Sequence, residues 1–471
     1  MLTKLLKGST FLIATAVVAT TAATGASAGD VYGAQPVTVK GYSGDKTNSV
    51  SYSGQVARYV LHDSLKKLAG KGDGGGNAEE IEVQMLSYFQ GSDNDLPIIA
   101  PAGKDGFPFK QSTVNEISKG KNLEGKFYNG AMPAWPGDMT GREAIVHMIK
   151  HAAKSDGGYD AENGYDWAQL ISKFTLGGVS YNQAVDNYLD EKMQPDNKPN
   201  GKPYKEGAPY TGKEHSWDEA FGYFGAAAHS GTLSPDQNYA VAKMKDLASA
   251  DANGDGVVDL KSEYVFGNAY YAAGADRSGV TNYMDTIMSA FIDGRNLIAS
   301  ANGENLTPDQ LAKLQQYAKT INDAWETVLA EAVFKYAGSV YKDITKMKEA
   351  KTDEEKAKAY RAYVKHWGEL KGFAMALQTG KNNLGETAVQ LNRLIGYGPV
   401  TADNSYVTGI DADGNFVRDR KRTWSDYQLH MLKVQKMLIN DLGVKARGND
   451  ATSDLASLAD KLDADSNAET D

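Results

Sequence analysis

A histidine and a glutamate three residues apart form the first group that could carry out chemistry. They are His366 and Glu369, in a segment that follows a helix-start signal at Thr352. Residues three apart lie on one helix face, so this imidazole and carboxylate could coordinate a single metal ion. Mixed nitrogen and oxygen ligation suits iron and zinc. The same spacing also fits a surface histidine that has an acidic neighbour by chance.

A second histidine precedes acidic residues on another predicted helix. His215 is followed by Asp218 and Glu219, three and four residues later. We predict that His215 and Asp218 join His366 and Glu369 in one iron or zinc site between facing helices. The alternative is that these acids stabilise the first helical turn, where the helix dipole favours negative charge.

A loop rich in aspartate and glycine resembles a calcium-binding loop over its first nine positions. Positions 1, 3, 5 and 9 carry side-chain oxygens, Gly256 stands at position 6, and position 7 offers a backbone carbonyl. The predicted calcium ligands are Asp251, Asn253, Asp255, Val257 and Asp259. Position 12 departs from the pattern, because Ser262 stands where a bidentate glutamate is expected and Glu263 follows it. The alternative is a plain turn between two helices.

A third histidine group has a spacing of four residues. Glu143, His147 and His151 fall on one helix face, which permits a metal site or a proton relay. The sequence contains no His-Glu-x-x-His, so the helical zinc-protease signature is missing. A polar, solvated helix face is the alternative interpretation.

Composition and charge exclude several classes of protein. The 471 residues contain no cysteine, which rules out disulfides, thiolate metal sites and cysteine nucleophiles. The net charge is −10 and the sequence contains no cluster of basic residues, so nucleic acid is not an expected partner. Residues 1–28 read as a signal peptide with cleavage after Ala28, and no later segment is apolar enough to span a membrane. We therefore expect a periplasmic or outer-membrane-associated protein.

The sequence pattern predicts mainly helices as the secondary structure that carries these side chains. Apolar residues recur at steps of three and four, and proline-containing helix starts occur at Ser234 and Thr307. One continuous apolar stripe follows Thr307, and further helical patterns cover about 51–69, 141–154, 164–193, 216–229, 236–249, 281–300, 353–378 and 423–442. The only clear strand pattern is a short hairpin between Tyr406 and Val417. The sequence predicts an all-α protein of two helical-bundle halves, 29–205 and 206–445, with long loops and an acidic tail over 446–471.

The ordered motifs resemble a bacterial family of uncharacterised exported domains grouped with imelysins. The resemblance rests on four segments between about residues 50 and 440: Ser51 to Gln55, His215 to Gly225, Asp251 to Glu263, and His366 to Phe373. It implies two related bundle-like halves, a role in iron acquisition, and metal ligation by His366 and Glu369. The family hallmark Gly-x-His-x-x-Glu is altered, because Val364 replaces its glycine.

Three classes of function follow. The first is a non-enzymatic metal-binding accessory of iron acquisition, which would act with an outer-membrane receptor or another envelope protein. The second is a zinc-dependent peptidase, which needs a general base beside a metal-bound water, and the sequence nominates none. The third is a calcium-stabilised surface module that binds a macromolecule or a glycan. The sequence leans away from an enzyme.

Overall fold

A computed structural model describes residues 30–91, 95–103, 106–380 and 384–455. The predicted signal peptide lies outside the described residues, as does most of the predicted acidic tail. Helices make up 56% of the structure and strands 5%, so the all-α prediction is confirmed. Within the described ranges, no helix is both long enough and apolar enough to cross a lipid bilayer.

The elements follow one another mostly as helices. The α-helices are α1 Ser53–Ala69, α2 Ala78–Gln90, α3 Val114–Ile117, α4 Gly141–Ala153, α5 Trp167–Thr175, α6 Gly212–Phe224, α7 Pro235–Ala242, α8 Gly267–Asp276, α9 Tyr283–Ser300, α10 Pro308–Glu349, α11 Asp353–Leu377, α12 Gly385–Ile395 and α13 Trp424–Leu442. After α5 the chain continues as π-helix over Leu176–Tyr181 and Gln183–Tyr188.

Short antiparallel strand pairs complete the structure. Strands β1 Tyr159–Asp160 and β2 Tyr165–Asp166 pair with each other, β3 Ser405–Tyr406 pairs with β6 Arg420–Lys421, and β4 Gly409–Ile410 pairs with β5 Phe416–Val417. The β4–β5 pair confirms the predicted hairpin.

Helix starts follow the local signals in the sequence. Thr307 and Ser234 each accept the backbone N–H of the glutamine three residues later, and that glutamine bonds back, so both form capping boxes behind a proline. Thr352 caps α11 by accepting the N–H of Glu355, but the Glu355 carboxylate accepts the N–H of Lys351 and so forms no capping box with Thr352. Helix α7 ends at Ala242, earlier than the apolar pattern to residue 249 predicts. Helices α2, α3, α8 and α12 were not predicted.

Helices α5, α10 and α11 pack closely and bring polar side chains together. Helix α10 is 42 residues long, and α11 folds back along it. Two glycines allow α5 and its π-helical continuation to approach α11. A Cβ at Gly177 would lie 2.3 Å from Cα of Ala376, and one at Gly372 would lie 2.6 Å from Cβ of Lys173. Larger residues at these glycines would force the backbones apart.

The core is one cluster of buried apolar side chains. It runs from Tyr32 to Val444 and takes residues from both sides of residue 205. The predicted division into halves at that residue stays a prediction. The largest fully buried side chains include Trp135, Trp167, Trp217, Trp325 and Trp367.

Candidate functional site

A polar cavity of about 230 Å³ lies where α1, α5, α8, α10 and α11 meet. We call it the lysine pocket. It is lined by His62, Asp63, Lys66, Gln169, Ser172, Lys173, Leu176, Ala242, Lys243, Tyr264, Val265, Phe266, Gly267, Tyr270, Tyr271, Tyr336, Lys365 and Glu369. Four lysines face two carboxylates, so the formal charge of the lining is positive.

Lys173 is the most deeply placed of these lysines. Its side chain comes from α5 and is only 5% exposed. Its Nζ lies 5.6 Å from the ring centre of Tyr271, and the Lys66 side chain is its basic neighbour. Among the described residues, no carboxylate or carbonyl oxygen lies within hydrogen-bond distance of this Nζ. Burial, followed by the charge of Lys66, holds the pKa of Lys173 well below its usual range, although Glu369 acts in the opposite direction.

Two other buried lysines show the usual way of satisfying such a group. Lys213 donates to the carbonyl oxygens of Lys192, Gln194 and Asn197 at 2.6–2.7 Å. Lys371 donates to the carbonyl of Gly396 at 2.7 Å. Both amines therefore hold backbone segments in place. Lys173 differs because its amine faces a cavity.

The wall of the lysine pocket also holds a carboxylate and a neutral histidine. Glu369, 8% exposed, accepts a hydrogen bond from the hydroxyl of Tyr336 at 3.2 Å. Nε2 of His62 lies 2.9 Å from the carbonyl oxygen of Ser172 and donates to it. Burial and the nearby Lys66 lower the pKa of His62 to about 3. The histidine is therefore uncharged at neutral pH, and the lysines dominate the field in the pocket.

His366 is not among the residues that line the pocket, although Glu369 lies one helical turn further along α11. Nδ1 of His366 lies 2.5 Å from Oδ2 of Asp343, a buried carboxylate on α10. This contact orients the ring and leaves Nε2 as the nitrogen available to a ligand. The two predicted ligands on α11 therefore have different partners, Asp343 for the imidazole and Tyr336 for the carboxylate.

The predicted pair on α6 is divided between two environments. Asp218 is fully buried, and its Oδ1 lies 3.0 Å from Nε of Arg295. The acid beside His215 is Glu219, whose Oε2 lies 3.7 Å from Nε2 of the imidazole. The His215 ring stacks on Tyr210, with 4.3 Å between ring centres. The pairs on α6 and α11 have no side-chain partner in common.

The group on α4 does not assemble as the spacing suggested. Glu143 forms the capping box of the helix with Thr140. His147 and His151 lie side by side, with ring centres 4.4 Å apart. Both ring nitrogens of His147 are buried without a hydrogen-bond partner, and burial lowers its pKa to about 4. The two rings pack against Phe416 as part of an aromatic cluster.

The predicted calcium loop is held by hydrogen bonds from its own backbone. The Asp251 carboxylate accepts the N–H groups of Gly254, Asp255 and Gly256 at 2.8–3.1 Å. Asn253 and Asp255 each accept the N–H two residues further on. The carbonyl of Val258, next to the predicted ligand Val257, accepts from Lys110 N at 3.0 Å.

Asp259 is already engaged by partners outside the loop. Its carboxylate accepts from Nζ of Lys110 at 3.0 Å and from Nε2 of Gln111 at 2.8 Å. Glu263 accepts the Asp259 N–H at 2.7 Å. These contacts leave Asp251, which is half-buried, and the exposed Asn253 and Asp255 as the side chains of the loop whose oxygens have no partner outside it.

The described ranges contain no group of three or more His, Cys, Asp or Glu side chains placed to hold a metal ion. The lysines of the pocket, which sequence reasoning missed, are Lys66, Lys173, Lys243 and Lys365. One signal could have found Lys173. It stands three residues after Leu170 and three before Leu176, which places a charge on the apolar face of a buried helix.

The comparisons with known proteins identify one family. Residues 139–383 match the family described as Domain of unknown function (DUF4856). This range contains most of the lysine-pocket lining, the loop at Asp251, and both histidine–acid pairs. No curated protein and no solved structure matches the chain.

Proposed function

The chain belongs to the DUF4856 family, and we propose that it is a non-enzymatic binding protein that holds a small organic anion in the lysine pocket. The observation that carries the proposal is Lys173, a buried amine with no protein acceptor, in a cavity lined by three further lysines. A buried amine without a hydrogen-bond partner is costly in either protonation state. A carboxylate or phosphate oxygen of a ligand would supply the missing partner.

The lining also favours an anion over a bare metal cation. Lys66, Lys243 and Lys365 line the same cavity as Glu369, the one carboxylate there that the sequence predicted as a ligand. Positive charges on the cavity wall oppose binding of a cation and attract an anion.

Binding of citrate, phosphate and pyruvate to the purified protein tests this proposal. Calorimetry should give measurable affinity for at least one of them, and the double variant Lys243→Gln/Lys365→Gln should weaken that affinity at least tenfold. Both lysines are exposed at the pocket, so the variant should fold. Lys67→Gln, an exposed change one residue from Lys66, is the matched control and should leave the affinity unchanged. Equal binding by all three proteins would defeat the pocket assignment.

A second proposal concerns the transition metal implied by the resemblance to imelysins. We propose that the chain is imelysin-like, exported to the periplasm or outer membrane, and accessory to iron acquisition, with His366 and Glu369 binding iron or zinc. The contact between Asp343 and Nδ1 of His366 supports this, because a carboxylate on one ring nitrogen directs the other toward a metal. His215 and Asp218 contribute less to the proposed metal site, because the Asp218 carboxylate already forms an ion pair with Arg295.

Titration of iron and zinc into wild type and the His366→Ala/Glu369→Ala variant tests the metal proposal. The double variant should lose the tightest site. Equal binding by both proteins would remove these residues as ligands. Metal-dependent peptide cleavage that the variant loses would support a zinc peptidase in place of a binding protein.

The loop at Asp251 is proposed as a calcium site that stabilises the fold. Its backbone N–H groups already hold the Asp251 carboxylate in the loop, so little ordering remains for the ion to induce. Calcium at about a hundredfold excess over its Kd would add roughly 2.7 kcal/mol of stability. Thermal melts with calcium and with chelator, on wild type and Asp251→Ala, test this. Identical melts in all four conditions would mark a plain turn.

A further inference from the structure

The three most buried lysines of the described chain have different surroundings. Lys173, Lys213 and Lys371 are 5%, 2% and 1% exposed. The amines of Lys213 and Lys371 donate hydrogen bonds to backbone carbonyl oxygens. The amine of Lys173 has no such acceptor and lines the cavity. Burial also lowers the pKa of Lys371 to about 7. A neutral amine alone therefore does not set Lys173 apart, whereas its open position in the cavity does.

We propose that Lys173 is a nucleophile that captures the carbonyl group of a 2-oxo acid as an imine. The inference rests on the proposed function, since the pocket must first hold the carboxylate of the same ligand. The carboxylate would lie against Lys66 and Lys243, and the neighbouring carbonyl carbon would then face Nζ of Lys173.

The chemistry needs no partner beyond the ligand itself. The lone pair of Nζ attacks the carbonyl carbon, and a carbon–nitrogen bond forms while the carbonyl oxygen takes up a proton. The attack opens the C=O π bond, and the proton that the oxygen takes up comes from the nitrogen, which gives a carbinolamine. The C–O bond then breaks as the nitrogen lone pair forms the C=N bond, and the oxygen takes a second proton and leaves as water. The nitrogen releases its remaining proton, which balances that second proton, and the neutral imine results. One water leaves for each imine formed, no electrons are exchanged, and hydrolysis reverses the step.

The pocket supplies the features that this reaction requires. An amine must be unprotonated to attack, and desolvation beside a second cationic group favours that form. Burial and Lys66 provide these conditions at Lys173. The carboxylate of Glu369, bonded to the Tyr336 hydroxyl, lines the same cavity.

Reductive trapping tests the proposal. Wild type is incubated with pyruvate, 2-oxoglutarate or glyoxylate at neutral pH and reduced with borohydride, and the product is read by intact mass and peptide mapping. We expect one adduct per chain, located on Lys173, with at least one of these acids. Lys173→Met should abolish the adduct, and Lys371→Met, the matched buried control, should retain it. An adduct spread over exposed lysines, one that persists in Lys173→Met, or none with any acid would overturn the inference.

Two further measurements separate this inference from the proposed function. Lactate carries the same carboxylate as pyruvate but a hydroxyl in place of the carbonyl, so it should bind without forming an adduct. Binding of lactate and pyruvate without trapping would defeat the imine and leave anion binding intact, whereas failure of every anion to bind would defeat both. Lys66→Gln should move the pH at which trapping is half-maximal upward, because it removes the like charge beside Lys173. An unchanged pH profile would contradict the role assigned to Lys66.

Discussion

Two buried charged clusters, one around Arg295 and one around Lys173, differ in whether the protein itself supplies the countercharge. Arg295 is 1% exposed, and it contacts Glu214 at 3.1 Å and Asp218 at 3.0 Å, both of which are fully buried. Its third contact is the hydroxyl of Ser49 at 2.6 Å. Lys173 is nearly as buried but has no carboxylate within ion-pair distance in the described chain. We infer that the Arg295 cluster stabilises the fold, whereas the Lys173 cluster binds a ligand that supplies the missing negative charge.

The Arg295 cluster joins distant parts of the chain. The hydroxyls of Tyr32 and Thr38 donate to Asp218 and Glu214 at 2.6 and 3.0 Å. These residues come from the segment before α1, whereas the two acids lie on α6 and the arginine on α9. Every polar group named here has a partner, which is the condition for burying charge at acceptable cost.

The largest expected effect on stability comes from removing the arginine of the Arg295 cluster. Arg295→Leu leaves two carboxylates buried without a cation, and we expect the free energy of unfolding to fall by about 3–5 kcal/mol. Arg277→Leu is the matched control. Arg277 contacts Asp236 at 2.6 Å, but its side chain is 43% exposed, so the loss should stay below about 1 kcal/mol. Urea unfolding of both variants measures the difference. Equal losses of unfolding free energy in the two variants would show that the buried Arg295 cluster stabilises the fold no more than a surface ion pair does.

The sequence identified the charged residues of α6 but not their partners. His215, Asp218 and Glu219 are adjacent in sequence, and spacing alone assigned Asp218 to the histidine. In the structure Asp218 faces Arg295, 77 residues away, and Glu219 lies beside the imidazole. The arginine carries no local signal of this role, because α9 reads as an ordinary amphipathic helix. Pairings of this range depend on tertiary packing, which spacing does not encode.

The fold was more accessible to sequence reasoning than the site. Capping boxes at Ser234 and Thr307 and the long apolar stripe after Thr307 correctly gave the starts of α7 and α10. Helix α8 was missed because Gly267 to Asp276 is rich in alanine and tyrosine and lacks an N-cap side chain. The residues that line the lysine pocket come from several helices, so no single segment of the sequence could have predicted the pocket.

The buried histidine of the lysine pocket, His62, should make the stability of the protein depend on pH. His62 has a pKa of about 3 in the folded protein, against about 6.5 in an unfolded chain. Between these values the unfolded chain binds more protons, so stability falls as the pH drops below about 6.5. At pH 5 the cost from this residue is about 2 kcal/mol. His147 acts in the same direction, since burial lowers its pKa to about 4.

Denaturant unfolding at pH 8 and pH 5 measures this dependence. The variant His62→Gln keeps an amide N–H for the carbonyl of Ser172 but cannot take up a proton. Its loss of stability between the two pH values should be smaller than that of wild type by about 2 kcal/mol. At pH 8 the histidine is neutral in both states, so that measurement controls for packing. An unchanged difference between the two pH values would show that His62 is not held neutral by the pocket.

The smallest effect on stability should come from Lys173 itself. Lys173→Met removes a buried amine that has no protein acceptor and keeps most of its apolar volume, so we expect stability unchanged or raised by up to about 1 kcal/mol. Lys371→Met should instead cost about 1–3 kcal/mol, because it leaves the buried carbonyl of Gly396 without its donor. Paired thermal melts of the two variants, without ligand, give the comparison. A large loss in Lys173→Met would mean that this lysine supports the fold as Arg295 does. A neutral or stabilising change, together with lost anion binding, is the result expected of a residue kept for a ligand.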